Sequence, residues 1–287
     1  MAARTQYILA MLIFGTTGIV VHYIDLPSCV IAMGRAITGI LFLVALMCVT
    51  RKNINWGSIK KNLPFLITSG MLLGINWVLL FEAYRYTTVA TATLCTYMAP
   101  AIIILVSPIV LKENLTVKKV ICVLVAILGM AFVSGFFEVG LSGISELKGV
   151  MLALIYAVFY AAIVLLNKKI TGLSGYELTL MQIGCTLLIL IPYTFVTEDM
   201  MNLALSAKSL VFLIYLGVVN SGVVYALYFG ALNKIAAQTA AILSYIDPIV
   251  AVILSAVVLH EEMGIMGKIG ATLILGSMMV SEYKQNK

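Results

Sequence analysis

Thr91–Pro100 reads TATLCTYMAP, and the pattern returns 148 residues later as Thr239–Pro248, TAAILSYIDP. The likeness continues past the proline at the same offset, pairing Ser107 with Ser255, Val110 with Val258, Leu111 with Leu259 and Glu113 with Glu261. With Thr91, Ala92, Tyr97 and Pro100 this makes eight identities in 23 aligned positions, and most other differences exchange one apolar residue for another. A polar run with a proline, held in both halves of a hydrophobic chain, is the mark of an internally duplicated membrane bundle. One difference between the copies is telling: Ala99 precedes the first proline, Asp247 the second.

Working outward, the chain of 287 residues is 62% hydrophobic and 10% charged, with a mean hydropathy of +1.11. Ordinary soluble domains carry roughly 25% charged residues, so this composition excludes a soluble globule. A hydrocarbon core needs about 20 apolar residues per helix, and the hydropathy divides into ten such segments: 6–23, 29–50, 63–83, 89–111, 119–137, 149–167, 176–196, 209–231, 237–259 and 266–282. Continuous runs of this length fit helices, whereas barrel strands alternate over about ten residues. The expected fold is an all-α membrane protein of ten transmembrane helices. No cleavable signal peptide is expected, because Arg4 leads into an apolar span without a small-residue cleavage site.

The net charge of +6 follows topology. Thirteen basic residues, including Arg51, Lys52, Lys60, Lys61, Lys118 and Lys119, fall on one side; Arg85, Lys148, Lys208 and Lys268 fall on the other, and Arg35 lies within a span. The positive-inside rule therefore predicts cytoplasmic N and C termini in a cell membrane, by expectation the bacterial inner membrane. No nucleic-acid partner is implied. Five helices per half is an odd number, so the second copy is expected to enter the membrane inverted. Two near-equal inverted halves can exchange conformations and open a central site first to one side, then to the other.

Several in-membrane groups point to that site. Asp247, directly before Pro248, is the leading candidate for binding a proton, a cation or a substrate amine, or alternatively for capping freed backbone or pairing with Arg35. Glu82 is a second coupling candidate, with an ordinary i,i+3 pair to Arg85 as the alternative. Arg35 is read as structural or as holding a substrate carboxylate. A polar and aromatic stripe supplies candidate substrate contacts: Asn76, Trp77, Tyr97, Tyr156, Tyr160, Tyr225 and Tyr245. An aromatic lining beside one carboxylate suits an organic cation through cation–π attraction, and equally an amino acid with an apolar side chain. Pro100, Pro108 and Pro248 are expected to break or kink their helices. Gly15, Gly18, Gly70, Gly74 and Gly267 are read as close-packing positions. Cys29, Cys48, Cys95, Cys122 and Cys185 lack CxxC spacing and are read as packing residues. No Walker motif, HExxH or Cys/His ligand set is present, so no enzymatic activity, cofactor or metal is expected.

The segments LFEAYRYTTVATATLCTYMAPAIIILVSPIVLKE and YFGALNKIAAQTAAILSYIDPIVAVILSAVVLHE, with Gly129, Gly270 and Gly276 in the helices that follow, resemble the two repeats of the drug/metabolite transporter superfamily in its ten-helix EamA-type branch. The resemblance implies one five-helix repeat over residues 1–140 and another over 146–287. It implies a central cavity lined chiefly by the third, fourth, eighth and ninth helices, with Glu113 and Glu261 closing helix ends. The implied function is secondary active transport of small metabolites or amino acids, outward and by alternating access. The alternatives are transport of a choline-like or drug-like organic cation, or a passive channel or facilitator. The expected partners are a small-molecule substrate, a coupling proton or cation, and the bilayer, for a monomer or homodimer. The first helix departs from the family pattern in having Phe14 where a tryptophan often precedes the glycine.

Overall fold

The structure, a computed structural model, describes residues 3–50, 54–110, 116–133, 144–167, 169–200, 203–232, 243 and 246–282. Its described elements are all helical. The first half contains α1 (Ala3–Phe14), α2 (Thr17–His22), α3 (Ser28–Thr50), α4 (Trp56–Ala83), α5 (Val89–Thr96), α6 (Met98–Val110) and α7 (Val117–Val133). The second contains α8 (Ile144–Asn167), α9 (Gly175–Thr197), α10 (Ala207–Tyr215), a π-helical segment (Leu216–Val223), α11 (Val224–Leu232), α12 (Ile246–Val258) and α13 (Ile265–Glu282). Six stretches are long and apolar enough to cross a membrane, and Ala207–Val223, Ile246–Val258 and Ile265–Ser277 are shorter apolar helices. Together with α7 they account for the ten expected spans. Leu41, Leu124, Leu188, Val196, Val211 and Val257 stand exposed on the exterior, as a lipid-facing surface requires. The protein is a multi-pass membrane protein.

Several span boundaries differ from the sequence reading for local reasons. The third span starts at Trp56 rather than 63, because the Asn55 side chain accepts the Ser58 N–H at 3.1 Å and caps a helix that carries Lys60, Lys61 and Pro64 within it. The first span breaks at Gly15–Thr16, and the fourth breaks at Tyr97, three residues before the proline that suggested it. In the ninth span, Asp247 and Pro248 lie within the described helix α12 (Ile246–Val258).

The paired segments share one secondary structure: α6 covers Met98–Val110 and α12 covers Ile246–Val258, so the described residues matched at the offset of 148 are helical in both halves. Contacts between the halves are reciprocal. α1 packs against α11 as α8 packs against α4, and α3 packs against the π segment as α9 packs against α4. The pairs α3–α9, α5–α12 and α7–α13 join equivalent helices of the two halves. Each contact thus recurs with the halves exchanged, the pattern of two inverted five-helix repeats.

Helices in lipid gain little from hydrophobic association and rely on close packing. A Cβ on Gly129 would stand 2.8 Å from the Gly270 carbonyl oxygen, so α7 and α13 meet backbone to backbone. Gly70 lies as tightly against Cys185 and the Gln182 carbonyl. Gly15, Gly18 and Gly74 also serve as close-packing positions, whereas Gly267 meets only Met263 of its own hairpin. Four of the five cysteines are buried in the bundle; Cys48 is exposed.

Candidate substrate site between the two repeats

The helix break of the first motif meets the described helix of the second. Tyr97 occupies the turn between α5 and α6, and its hydroxyl donates to Asp247 Oδ2 at 3.0 Å. A residue of the first copy thus holds the carboxylate of the second. Asp247 lies deep in the protein, within electrostatic reach of Tyr84, Tyr97, Tyr156 and Tyr160, yet keeps accessible surface. Its counterpart Ala99 is 1% exposed and packed among Met98, Ala101, Ile104, Val123 and Ala157. A carboxylate there would enter an apolar cluster without a partner, so packing explains why the acid occurs in one copy only.

The first span is broken against the same place. A Cβ on Gly15 would come 2.8 Å from the Asp247 carbonyl oxygen and 2.6 Å from Val250 Cβ. The break is braced from the eighth span, where Asn220 Nδ2 donates to the Ile13 carbonyl at 3.1 Å and to Thr17 Oγ1 at 2.8 Å. Freed carbonyls at membrane depth need such partners. Asn220 is able to reach because Leu216–Val223 is π-helical, a wider turn that often marks functional sites.

Ser221, next along the π segment, accepts from Arg35 Nε at 2.8 Å. The Arg35 guanidinium carbon lies 4.3 Å from the centroid of the Trp77 ring and 5.9 Å from that of Phe81. Arg35 is 4% exposed, within electrostatic reach of Tyr84, Tyr156 and Tyr225. Tyr156 and Tyr160, one turn apart on α8, stack at 5.9 Å with ring planes 7° apart. Tyr225 meets Phe14 edge-on at 5.3 Å. The interior between the repeats thus carries one guanidinium, one carboxylate and several tyrosines.

These helices carry the signature by which a family model matches the chain. The EamA-like transporter family matches it twice, over residues 5–135 and 147–282. The chain belongs to the EamA-like transporter family. A Bacillus subtilis relative, "Uncharacterized transporter YxxF", is 28% identical over 283 residues, spanning 97% of this chain and 89% of its own. Protein PecM of Dickeya dadantii is 21% identical over 230 residues, 77% of this chain and 76% of its own. A solved crystal structure covers 97% of this chain and 96% of its own at a TM-score of 0.68 and 17% identity, and speaks for the fold alone.

Within this EamA-like transporter, the structure brings Tyr97, Tyr156, Tyr160 and Asp247 into one group, and Trp77 and Tyr225 around Arg35. Tyr245 and Ser244 lie outside the described residues, as does Glu113. Asn76 is fully buried, and neither amide atom has a hydrogen-bond partner. Glu82 stands apart near the start of α3: it accepts from Ser28 Oγ at 2.6 Å and from Arg85 at 3.4 Å. Asp247 and Arg35 form no ion pair; among the described residues the one ion pair is Arg85–Glu82. Glu261 accepts the Val89 N–H at 3.0 Å and the Ser255 hydroxyl, tying the end of α12 to the start of α5. Glu177 forms a capping box with Ser174 and also accepts the Asn55 N–H at 2.7 Å. Tyr84 was not read from the sequence as a site residue, although Trp77, Phe81 and Tyr84 follow the i, i+4, i+7 spacing of one helix face.

Proposed function

We propose that this transporter is a secondary carrier that moves a small metabolite outward by alternating access, with Asp247 as the group that takes up a substrate ammonium or a coupling proton. The observation that carries the reading is the Tyr97–Asp247 hydrogen bond, which joins the helix break of the first repeat to a partly accessible acid on the second. An ionisable group costs several kcal/mol at membrane depth unless it is partnered or hydrated, and one tyrosine hydroxyl is the only partner recorded for Asp247 among the described residues. The repeats proposed at 1–140 and 146–287 make reciprocal contacts, so exchanging their conformations would present the same site to the opposite side.

The test is counterflow in proteoliposomes. The full chain is preloaded with unlabelled metabolite and uptake of the labelled compound is followed. A carrier gives saturable uptake that rises when the trans side is loaded, and Asp247→Asn lowers it at least tenfold. Linear flux with no trans-stimulation is the result expected of a channel and overturns the proposal. In a carrier the imposed gradients set the direction, so the same vesicles, loaded from either side, test export.

A further inference from the structure

The eighth span matches the third with one residue added. Before the glycines the match holds at an offset of 147, pairing Phe65 with Phe212, Leu66 with Leu213, Ile67 with Ile214 and Gly70 with Gly217. From Gly74 onward it moves to 148, pairing Gly74 with Gly222, Leu79 with Leu227, Phe81 with Phe229 and Ala83 with Ala231, and the repeated motif follows at that same offset. Three residues, Met71–Leu73, separate the glycines of the first repeat; four, Val218–Ser221, separate those of the second. The π-helical segment, Leu216–Val223, covers the added residue.

Packing explains why a wide turn absorbs it. Residues four apart share a helix face. In the first repeat Gly70 presses on Cys185 and Gly74 on Ile189, themselves four apart on α9. Thr38 and Phe42 are their equivalents on α3 at the offset of 147, and Gly217 and Gly222 press on these in turn. Each residue of an α-helix turns the chain by about 100°, so one extra step would carry Gly222 off this face. A π turn closes i→i+5 bonds instead, and both glycine contacts are kept.

The added residue marks one side of the pseudo-symmetry only. Met71–Leu73 is apolar, whereas the longer stretch ends in Asn220 and Ser221. Asn220 donates to the Ile13 carbonyl and to Thr17 across the break of the first span, and Ser221 accepts from Arg35 Nε while the guanidinium lies over Trp77. In the reciprocal pair, α4 is α-helical over Trp56–Ala83, and α8, the counterpart of the first span, runs unbroken over Ile144–Asn167. Among these helices the break and the π turn occur together. Gly15, inside the break, lies against the Asp247 carbonyl oxygen, so whatever holds the break also seats the segment that carries Asp247.

We infer that a one-residue insertion in the second repeat, stored as the π segment, makes Asn220 and Ser221 positioning residues of this transporter. Asn220 holds the break of the first span against the Asp247 segment, and Ser221 seats Arg35 on Trp77. The consequence for transport rests on the carrier reading above; the insertion and the break that it holds do not.

The test is deletion of Val219 from the full chain, which gives the second repeat the glycine spacing of the first. A Trp56→Phe background leaves Trp77 as the single tryptophan. The deletion chain should fold, as read by gel filtration and thermal melting, because both glycine contacts are kept. Backbone hydrogen exchange over residues 12–19 should rise at least tenfold, exchange over 70–74 and 185–189 should stay at the wild-type rate, and the Trp77 emission maximum should shift. Asn220→Leu should reproduce the exchange change alone and Ser221→Ala the Trp77 shift alone. Asn220→Gln, which keeps the amide donor, should recover part of the protection. Counterflow with tritiated leucine, choline and tetraphenylphosphonium as probes reads the site. Asn220→Leu should raise half-saturation by the transported probe at least tenfold at temperatures where it is folded, with Asn220→Gln in between. Should the deletion chain fail to fold, the three point variants decide by the same outcomes. Wild-type exchange at the break in Asn220→Leu, an unmoved Trp77 emission in Ser221→Ala, or exchange that rises equally along the whole chain overturns the inference. The local changes together with linear, unstimulated flux would uphold the role of the insertion and count against the carrier reading. Saturable flux with normal half-saturation in folded Asn220→Leu would uphold the carrier and overturn the positioning role.

Discussion

Gly15→Ala places a methyl where the first span turns beneath the carbonyl of Asp247. The added Cβ would lie 2.6 Å from Val250 Cβ, 2.7 Å from Val250 Cγ1 and 2.8 Å from the Asp247 carbonyl oxygen, where ordinary contact starts at 3.4 Å. To relieve it, α1 and the first turn of α12 must separate by about 0.8 Å, and forcing extra volume into a packed site costs about 1–3 kcal/mol. For chains of somewhat smaller size each kcal/mol moves Tm by about 2–4 °C, so the predicted loss is on the order of 2–12 °C in detergent. Because the helix that is pushed carries Asp247, counterflow should fall at least tenfold even at temperatures where the variant is fully folded. Gly276→Ala is the control: its Cβ meets nothing within 4 Å, and it should match the wild type in both assays. If Gly15→Ala melts within 1 °C of the wild type and transports normally, the close approach of the broken first helix to Asp247 is not real.

Asn220→Leu removes the donor that braces Ile13 and Thr17 and should cost about 1–3 kcal/mol by thermal or denaturant unfolding. Asn76→Leu should have the opposite sign: neither amide atom has a partner to lose, so a side chain of similar shape is neutral or stabilising by about 1 kcal/mol. A folded Asn76→Leu that loses transport would uphold the sequence reading of Asn76 as a substrate contact; normal transport would reject it. Tyr97→Phe deletes the hydroxyl on Asp247 and, at about 1.5–3 kcal/mol for a hydrogen bond to a charged group, should weaken apparent substrate affinity roughly tenfold or more in counterflow. Glu261→Gln should lower thermal stability by about 1–2 kcal/mol through its Val89 and Ser255 contacts and leave substrate preference untouched.

The scaffold was legible because membrane spans advertise themselves by length and hydropathy, and because a duplication fixes register. TATLCTYMAP and TAAILSYIDP align at one offset, and the described residues that follow them are helical in both halves. Asp247 was legible for the same reason, as the one charged mismatch within the repeated ten-residue motif. What escaped depends on packing across the halves. Nothing local in LGVVNSGV announces a π turn, yet that turn sends Asn220 to the first span and Ser221 to Arg35. Arg35 itself read as structural or as the holder of a substrate carboxylate; only the fold sets Trp77 beneath it and Ser221 on its Nε. The proline-based breaks were displaced for a related reason. Proline is accepted in a first turn, so the backbone turns before it, at Tyr97 rather than at Pro100.

The most direct measurement of the central claim is counterflow by the wild-type chain and by Asp247→Asn in matched proteoliposomes. The account predicts saturable, trans-stimulated uptake that Asp247→Asn lowers at least tenfold. Linear flux without trans-stimulation, or undiminished uptake by a folded Asp247→Asn, would contradict it.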